Sequence, residues 1–389
     1  MGFQHAQRAE AKVVPRRGFD YIPEKGEFPR DEDLIRKHSR LNSPVGFTTS
    51  ATSAHLGPVK TGELFAHPKA VRPLVSFVIP VHNDAARLQR CLSSIVSNDY
   101  SRELIEIIVV DNDSTDGSAR IARAHSAVVI KGSDPSVAAL RNKGARAALG
   151  SVIAFVDSDH EIDRYWIETA VDVLAAPDVA ATGAPCLTQP GPSWVQQQYD
   201  GLRDRPLRRE DVTWLGSGNL AVKRAAFERV GGFDASLTAC EDVDFCNRLL
   251  HAGCRIVADP NLRNIHFGDP RTLRALFMGE LWRGRDNLRV TFNGPRTFRH
   301  LRSAIIPIAD LCCLAGSLVL LIAGYTWPAI ALLTLALIPA GLRAGVMISR
   351  QLRRNAVVWA QAMVVAVVFD LARALALVAR GSHRARRTA

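Results

Sequence analysis

The stretch Ile153-Ala-Phe-Val-Asp157-Ser-Asp159-His160 is an apolar run that stops abruptly at two carboxylates one residue apart. A short apolar run of this kind reads as a buried strand. In α/β sheets ligands gather beyond the carboxyl ends of the strands. Mg²⁺ or Mn²⁺ is held in such places by one or two carboxylates together with substrate phosphates, so the pair points to a divalent metal and a phosphate-bearing substrate. Carboxylates after a strand also form turns and cap helices, and the Asp-Ser-Asp alone leaves both readings open.

Upstream, Val75-Ser-Phe-Val-Ile-Pro80-Val-His-Asn83-Asp84 reads as a first strand running into a loop, followed by a helical pattern from Ala85 to Val96. Ile105-Glu-Ile-Ile-Val-Val-Asp111-Asn-Asp113-Ser-Thr-Asp116-Gly117 is a second β-branched run ending in acidic residues, with Ser114, Thr115 or Asp116 able to cap the next helix. A short strand over Ala127 to Lys131 and a helix over Pro135 to Leu149 complete the approach to the Val152–Val156 strand. This βαβα order predicts an α/β, mainly parallel, doubly wound sheet whose neighbouring strands bring carboxylates to one edge.

With these motifs in order, the sequence resembles the family 2 glycosyltransferases, inverting enzymes of the Rossmann-like GT-A fold that use nucleotide-diphosphate sugars. The resemblance runs from about Val75 to Phe267 and rests on Val-Ile-Pro-Val-His-Asn, on Val-Val-Asp-Asn-Asp-Ser-Thr-Asp-Gly, on Asp-Ser-Asp and on a later Glu241-Asp242. It implies that Pro80, Asn83, Asp84, Asp111 and Asp113 line the donor-nucleotide pocket, that Asp157 faces both ribose and metal, and that Asp159 binds the metal. A divalent cation suits this chemistry because the leaving nucleoside diphosphate gathers negative charge. His266 is implied as a further metal ligand, although a lone histidine is often structural. Lys143 or Arg141 would add positive charge, unless both simply lie on an exposed helix face.

The glycine-bearing loop at Gly216-Ser217-Gly218-Asn219 looks like the family's acceptor-side loop, with Gly218, Asn219 and Glu241 on the acceptor or diphosphate side. The resemblance assigns Asp242 as the base that takes the acceptor proton, on the face opposite the leaving group. The acidic residues around it also suit a helix N-terminus. Processive synthases of the family carry Gln-x-x-Arg-Trp after the Glu-Asp. Here Met278-Gly-Glu-Leu-Trp282-Arg283-Gly-Arg285 has the wrong order and no glutamine, which implies a non-processive enzyme in which Trp282, Arg283 and Arg285 touch acceptor or diphosphate.

After about Phe298 the composition changes. Ala304 to Tyr325 and Trp327 to Ile348 are each long and apolar enough to span a bilayer, interrupted only by Asp310 and Arg343. Arginines precede the first span (Arg296, Arg299, Arg302) and follow the second (Arg350, Arg353, Arg354), which predicts a hairpin with both ends cytosolic. A third stretch, Ala356 to Ala379, holds Asp370 and Arg373 and reads as a re-entrant or interfacial helix, with a third span as the alternative. The expected organisation is an N-terminal extension over 1–72, a catalytic domain over 73–298 and a membrane region over 299–389.

The chain has 389 residues and a formal net charge of +11, which suits an anionic membrane surface and phosphorylated substrates. Nucleic acid is not an expected partner, because the arginines concentrate beside the spans and no nucleic-acid module is present. Seven cysteines without paired or zinc-type spacing read as reduced thiols. The first apolar segment of adequate length begins near residue 304, so no secretory leader is expected.

The resemblance thus implies a metal-dependent hexosyltransferase-type enzyme at the inner (plasma) membrane, multi-pass, with a cytoplasmic catalytic domain. It would transfer sugar from a nucleotide-diphosphate sugar, a UDP-sugar by expectation, to a lipid-linked or growing saccharide in bacterial exopolysaccharide or envelope assembly. The alternatives are transfer directly to polyprenyl phosphate and, in a different class, a non-catalytic nucleotide-sugar-binding membrane scaffold.

Overall fold

The computed structural model describes residues 72–294, 298–351 and 354–379; the N-terminal extension, Arg296, Arg353, the side chain of Arg299 and the basic tail lie outside them. In chain order the elements are β1 (Val75–Val81), α1 (Ala85–Val96), β2 (Ile105–Asn112), α2 (Ser118–Ala124), β3 (Val128–Gly132), α3 (Val137–Ala147), β4 (Val152–Val156) and β5 (His160–Ile162). Then follow α4 (Trp166–Leu174), β6 (Val179–Gly183), β7 (Leu187–Thr188), α5 (Trp194–Asp200), β8 (Glu210–Asp211), β9 (Asn219–Lys223), α6 (Arg224–Arg229) and α7 (Glu241–His251). The chain continues through β10 (Arg255–Ala258), β11 (Asn264–His266), α8 (Leu273–Arg283), α9 (Asn287–Asn293), α10 (Phe298–Ile322), α11 (Thr326–Ser349) and α12 (Ala356–Ala376).

The large sheet has the order β3-β2-β1-β4-β9-β6-β10-β8, and a small one has the order β5-β11-β7. β1 to β4 pair in parallel, as the alternation with helices requires. β9 enters antiparallel between β4 and β6, and β8 closes an edge antiparallel to β10. Helices cover both faces, so β1 and β4 are buried along their whole length. One face sends Phe77, Ile79 and Val109 into a cluster with Leu88, Leu92 and Ile95 of α1 and Trp166 of α4, the Phe77 and Trp166 rings lying 5.7 Å apart. The other sends Val78, Ile108 and Phe155 against Leu140 of α3 and Phe245 of α7. Phe77 is fully buried in the first cluster, and truncating it to alanine would cost about 3–5 kcal/mol.

Among the described residues, three helices are long and apolar enough to cross a membrane, over Leu301–Ile322, Thr326–Ser349 and Ala356–Ala376. α10 begins six residues before the expected Ala304 and ends at Ile322, and the turn to α11 passes through Gly324 at φ +82°. α10 and α11 form a hairpin with apolar residues such as Leu321, Ile322, Trp327 and Leu333 exposed near its tip. α12 packs both on the α/β domain and on the hairpin: Ala362, Val365 and Ala366 pack with Val195 of α5, Leu276 of α8 and Ala340, Ala344 and Met347 of α11. Towards its end, Arg373 reaches Glu280 of α8 at 2.8 Å and Ala376 abuts Gly284. Near its start, Arg350 at the end of α11 donates to the carbonyls of Gly201 (3.2 Å) and Arg203 (2.7 Å). Asp370, about two-thirds of the way along α12, pairs with Arg343 of α11 at 2.7 Å, while Asp310 of α10 is buried with its Oδ2 unpartnered.

Candidate active site

The parallel strands end together. Val81 lies in register with Asp111, and the loops that follow β1 and β2 are tied to each other. The Asn83 backbone N–H donates to Ser114 Oγ at 3.0 Å, and its side-chain oxygen accepts from the Thr115 N–H at 2.7 Å. Asn83 and Asp113 both adopt left-handed backbone, φ 50° and 56°, which asparagine and aspartate tolerate better than most residues. Asp111 is buried and accepts from the Ser114 N–H, and Asp84 accepts from Arg87 at 2.8 Å. Pro80, Asn83, Asp84, Asp111 and Asp113 thus share one rim at the carboxyl ends of β1 and β2.

The two aspartates after β4 diverge. Asp157 takes Arg141 Nη2 at 2.6 Å, and the same guanidinium gives Nη1 to Glu241 at 2.8 Å. Arg141 comes from α3 and is 3% exposed, so it is a buried bridge between the Asp-Ser-Asp and Glu-Asp motifs. Lys143 lies near Asp134 instead, at 4.0 Å. Gly218 is required by this packing, since a Cβ there would sit 2.6 Å from Asp157 Oδ2 and 2.8 Å from His160 Cε1.

Asp159 turns the other way, towards His266 Nε2 at 3.4 Å and Arg87 at 3.6 Å. β5 and β11 place His160 and His266 opposite each other, and donor atoms of Asp159, His160 and His266 lie within 4.8 Å. Asn264 donates to His160 Nδ1 at 2.5 Å, which puts the ring hydrogen on Nε2 and leaves Asp159 and, on displacement of its Nε2 proton, His266 as the groups able to hold a cation. Burial, then the charge of His266, push His160 down to about 4. Burial also opposes charge on His266, yet Asp159 and Asp269 outweigh it and raise His266 to about 9. Burial would raise Asp159, but His266, His160 and Arg87 hold it well below the usual carboxylate range.

Asp269, three residues after His266, holds His266 Nδ1 at 2.7 Å and is itself held by Arg203. That arrangement fixes the imidazole with Nε2 towards Asp159, as metal-ligating histidines require. Gly268 completes the cradle: a Cβ there would overlap Asp159 Oδ2 and crowd His266 Nε2. A carboxylate, an oriented imidazole and a wall no side chain could occupy fit a divalent cation.

Asp242 opens α7 beside these groups. Burial first, and the Glu241 carboxylate second, push it up to about 7 against the Val243 N–H and Arg141. A carboxyl poised there can exchange a proton near neutral pH. Asn219 is not in the site. It is 1% exposed, accepts from Trp166 Nε1 at 2.7 Å and donates to the carbonyls of Ala184 and Leu262, so it anchors the loop from behind. Trp282 and Arg283 end α8, Arg283 bound to Glu280 at 2.9 Å, and Arg285 is exposed just beyond them.

Sequence reasoning missed Arg203, Asp269, Tyr199 and Glu280. The His266-x-x-Asp269 spacing was the one local signal.

Residues 76–231 match the family described as "Glycosyl transferase family 2". The glycosyltransferase AglE of Haloferax volcanii is 30% identical over 191 residues, 46% of this chain and 62% of that protein. The pre-mycofactocin glycosyltransferase of Mycobacterium tuberculosis is 30% identical over 229 residues, 54% of this chain and 46% of that protein. The chain therefore spans about half to three-fifths of the length of these relatives. Among solved structures, a mannosyltransferase from Pyrobaculum calidifontis in complex with GDP-Man and Mn²⁺ shares the fold, with a TM-score of 0.52 at 20% identity over 79% of this chain and 88% of that one. Over residues 76–231, then, the chain is similar to the family 2 glycosyltransferases.

Proposed function

We propose that the protein is a metal-dependent, inverting, non-processive glycosyltransferase that moves a sugar from a nucleotide-diphosphate donor to a lipid-linked or growing saccharide acceptor. The observation that carries this reading is the buried Arg141, which ties Asp157 of the donor-side motif to Glu241, next to Asp242. Donor-side and acceptor-side carboxylates are thereby held at a fixed separation.

In this reading Asp159 and His266 hold Mg²⁺ or Mn²⁺, which neutralises charge on the leaving diphosphate. The β1 and β2 rim (Pro80, Asn83, Asp84, Asp111, Asp113) takes the nucleotide of a UDP-sugar. Asp157 stays with the ribose side, because Arg141 already claims its Oδ1. Asp242 removes the acceptor hydroxyl proton, and Gly218 and Glu241 shape the ground beside it. Residues 73–298 form the catalytic domain and 299–389 the membrane region. α10 and α11 cross the inner membrane and return to a cytoplasmic catalytic domain, with α12 lying in the interface; the packing of α12 on α5 and α8 supports that placement. Exopolysaccharide or envelope assembly is the proposed setting.

The test is transfer by the full-length protein, with a panel of nucleotide sugars and Mn²⁺ or Mg²⁺, reading nucleotide release and the anomeric configuration of the product. Inverted configuration with one donor class supports the reading. Full activity after exhaustive chelation, or full activity of Asp242→Asn, removes the metal or the base respectively. Donor binding without any turnover by the folded protein would favour a nucleotide-sugar-binding scaffold.

A further inference from the structure

Glu280 is fully buried on α8 and faces two cations: Arg283 Nη1 at 2.9 Å and Arg373 Nε, from α12, at 2.8 Å. The Tyr199 hydroxyl donates to the same carboxylate at 2.9 Å. One carboxylate and a neutral phenol leave the group with one excess positive charge. Neither nearby acid supplies the balance: Arg343 pairs with Asp370 of α12 at 2.7 Å, and Asp269, whose charge also reaches Arg283, is held by Arg203 and His266. An uncompensated guanidinium in a partly dry setting is costly and favours an anion.

The position of this excess charge is defined by one carbonyl. Arg283 O accepts from Arg373 Nη1 and from the Cys240 thiol, each at 3.4 Å, and Cys240 is the residue before α7, two before Asp242. The charge therefore lies at the foot of the helix that presents Asp242, and half of it comes from a helix apolar enough for a membrane. The side chains of Arg283 and Arg373 are 37% and 21% exposed, Arg373 lies 5.4 Å over the Phe369 ring, and neither guanidinium makes another side-chain hydrogen bond among the described residues. Two guanidinium forks side by side match the oxygens of a phosphate.

We propose that Arg283 and Arg373 bind the phosphate of the membrane lipid that carries the acceptor. This deepens the transferase reading above and rests on it.

The test uses full-length protein in phosphatidylcholine nanodiscs and farnesyl phosphate as the probe, with farnesol, inorganic phosphate and phosphatidylglycerol as competitors, read by calorimetry. Saturable binding of farnesyl phosphate that farnesol does not displace is expected. Arg373→Gln and Arg283→Gln should each weaken it about tenfold or more, the loss of one charge-assisted contact, with Arg373→Lys between them and wild type. Equal binding of farnesol and farnesyl phosphate, or unchanged binding in both glutamine variants, overturns the proposal. So does full displacement by phosphatidylglycerol at equal concentration, which would make the pair a general headgroup anchor. The phosphate-against-alcohol comparison on wild type decides the matter even if a variant fails to fold. Binding of a panel of nucleoside diphosphates with Mn²⁺, measured in parallel, separates the outcomes: binding of none would sink the transferase reading, whereas binding of one without farnesyl phosphate binding sinks only this site.

Discussion

Arg141 and Asp157 meet at 2.6 Å across the seam between α3 and the end of β4, and the same guanidinium holds Glu241. Only a fork-shaped cation could satisfy both carboxylates from one buried stem.

Arg141→Met would leave two carboxylates facing each other with no cation between them. A loss of about 3 kcal/mol is expected, the range for breaking a buried ion pair. Thermal unfolding checks it, and Arg141→Lys should recover part of the stability but little of the activity.

Asp242 yields a pH prediction with a definite sign. Its carboxyl is raised from an ordinary 3.8 to about 7, so the folded state prefers it protonated. The stability tied to that preference is complete below about pH 4 and is lost as the pH rises to about 7. Asp242→Asn should therefore unfold at a higher temperature than wild type at pH 8, the gap closing as the pH approaches 4. Transfer should do the opposite: kcat/KM for wild type rises towards a plateau above about pH 7, and the asparagine variant loses about 10²–10⁴-fold.

Asp269→Ala and Gly268→Ala attack the metal cradle from outside the ligand set. The first frees Nδ1 of His266 and the second pushes on Asp159. Each should weaken Mn²⁺ binding about 10–100-fold by calorimetry, with the fold intact.

How far the sequence carried these conclusions depends on the range of each interaction. β4 and α1 are legible residue for residue, Val152–Val156 and Ala85–Val96, because a strand buried on both faces is continuously apolar and an amphipathic helix keeps its period. β9 was not legible. Asn219-Leu-Ala-Val is too short to announce a strand, and its antiparallel insertion between β4 and β6 is decided by partners far away in sequence. Asn219 looked like a site residue because it follows two glycines, whereas its amide is consumed by Trp166, Ala184 and Leu262. Glu280 is more remote still: its partners Tyr199 and Arg373 are 81 and 93 residues away. Hydropathy also cannot separate a helix that crosses lipid from one that lies on protein, since Leu276 and a lipid chain are equally apolar neighbours for Val365.

That last ambiguity has an experimental answer. With α12 held by α5 at one end and Gly284 at the other, a reporter joined beyond α12 is expected on the same side of the membrane as the α/β domain. Topology reporters placed after Ala389 and within the turn at Gly324 should then report opposite sides; equal sides would mean that α12 crosses.

The seating of α12 on α8 also bears on which fragments of this protein can exist. A soluble piece cut before α10 would keep Glu280 and Arg283 but lose Arg373, and it would turn Leu276 and Val195 out to water. The boundary near residue 298 is thus a change of composition and not a line of separability, and a fragment ending there should lose solubility where it was meant to gain it.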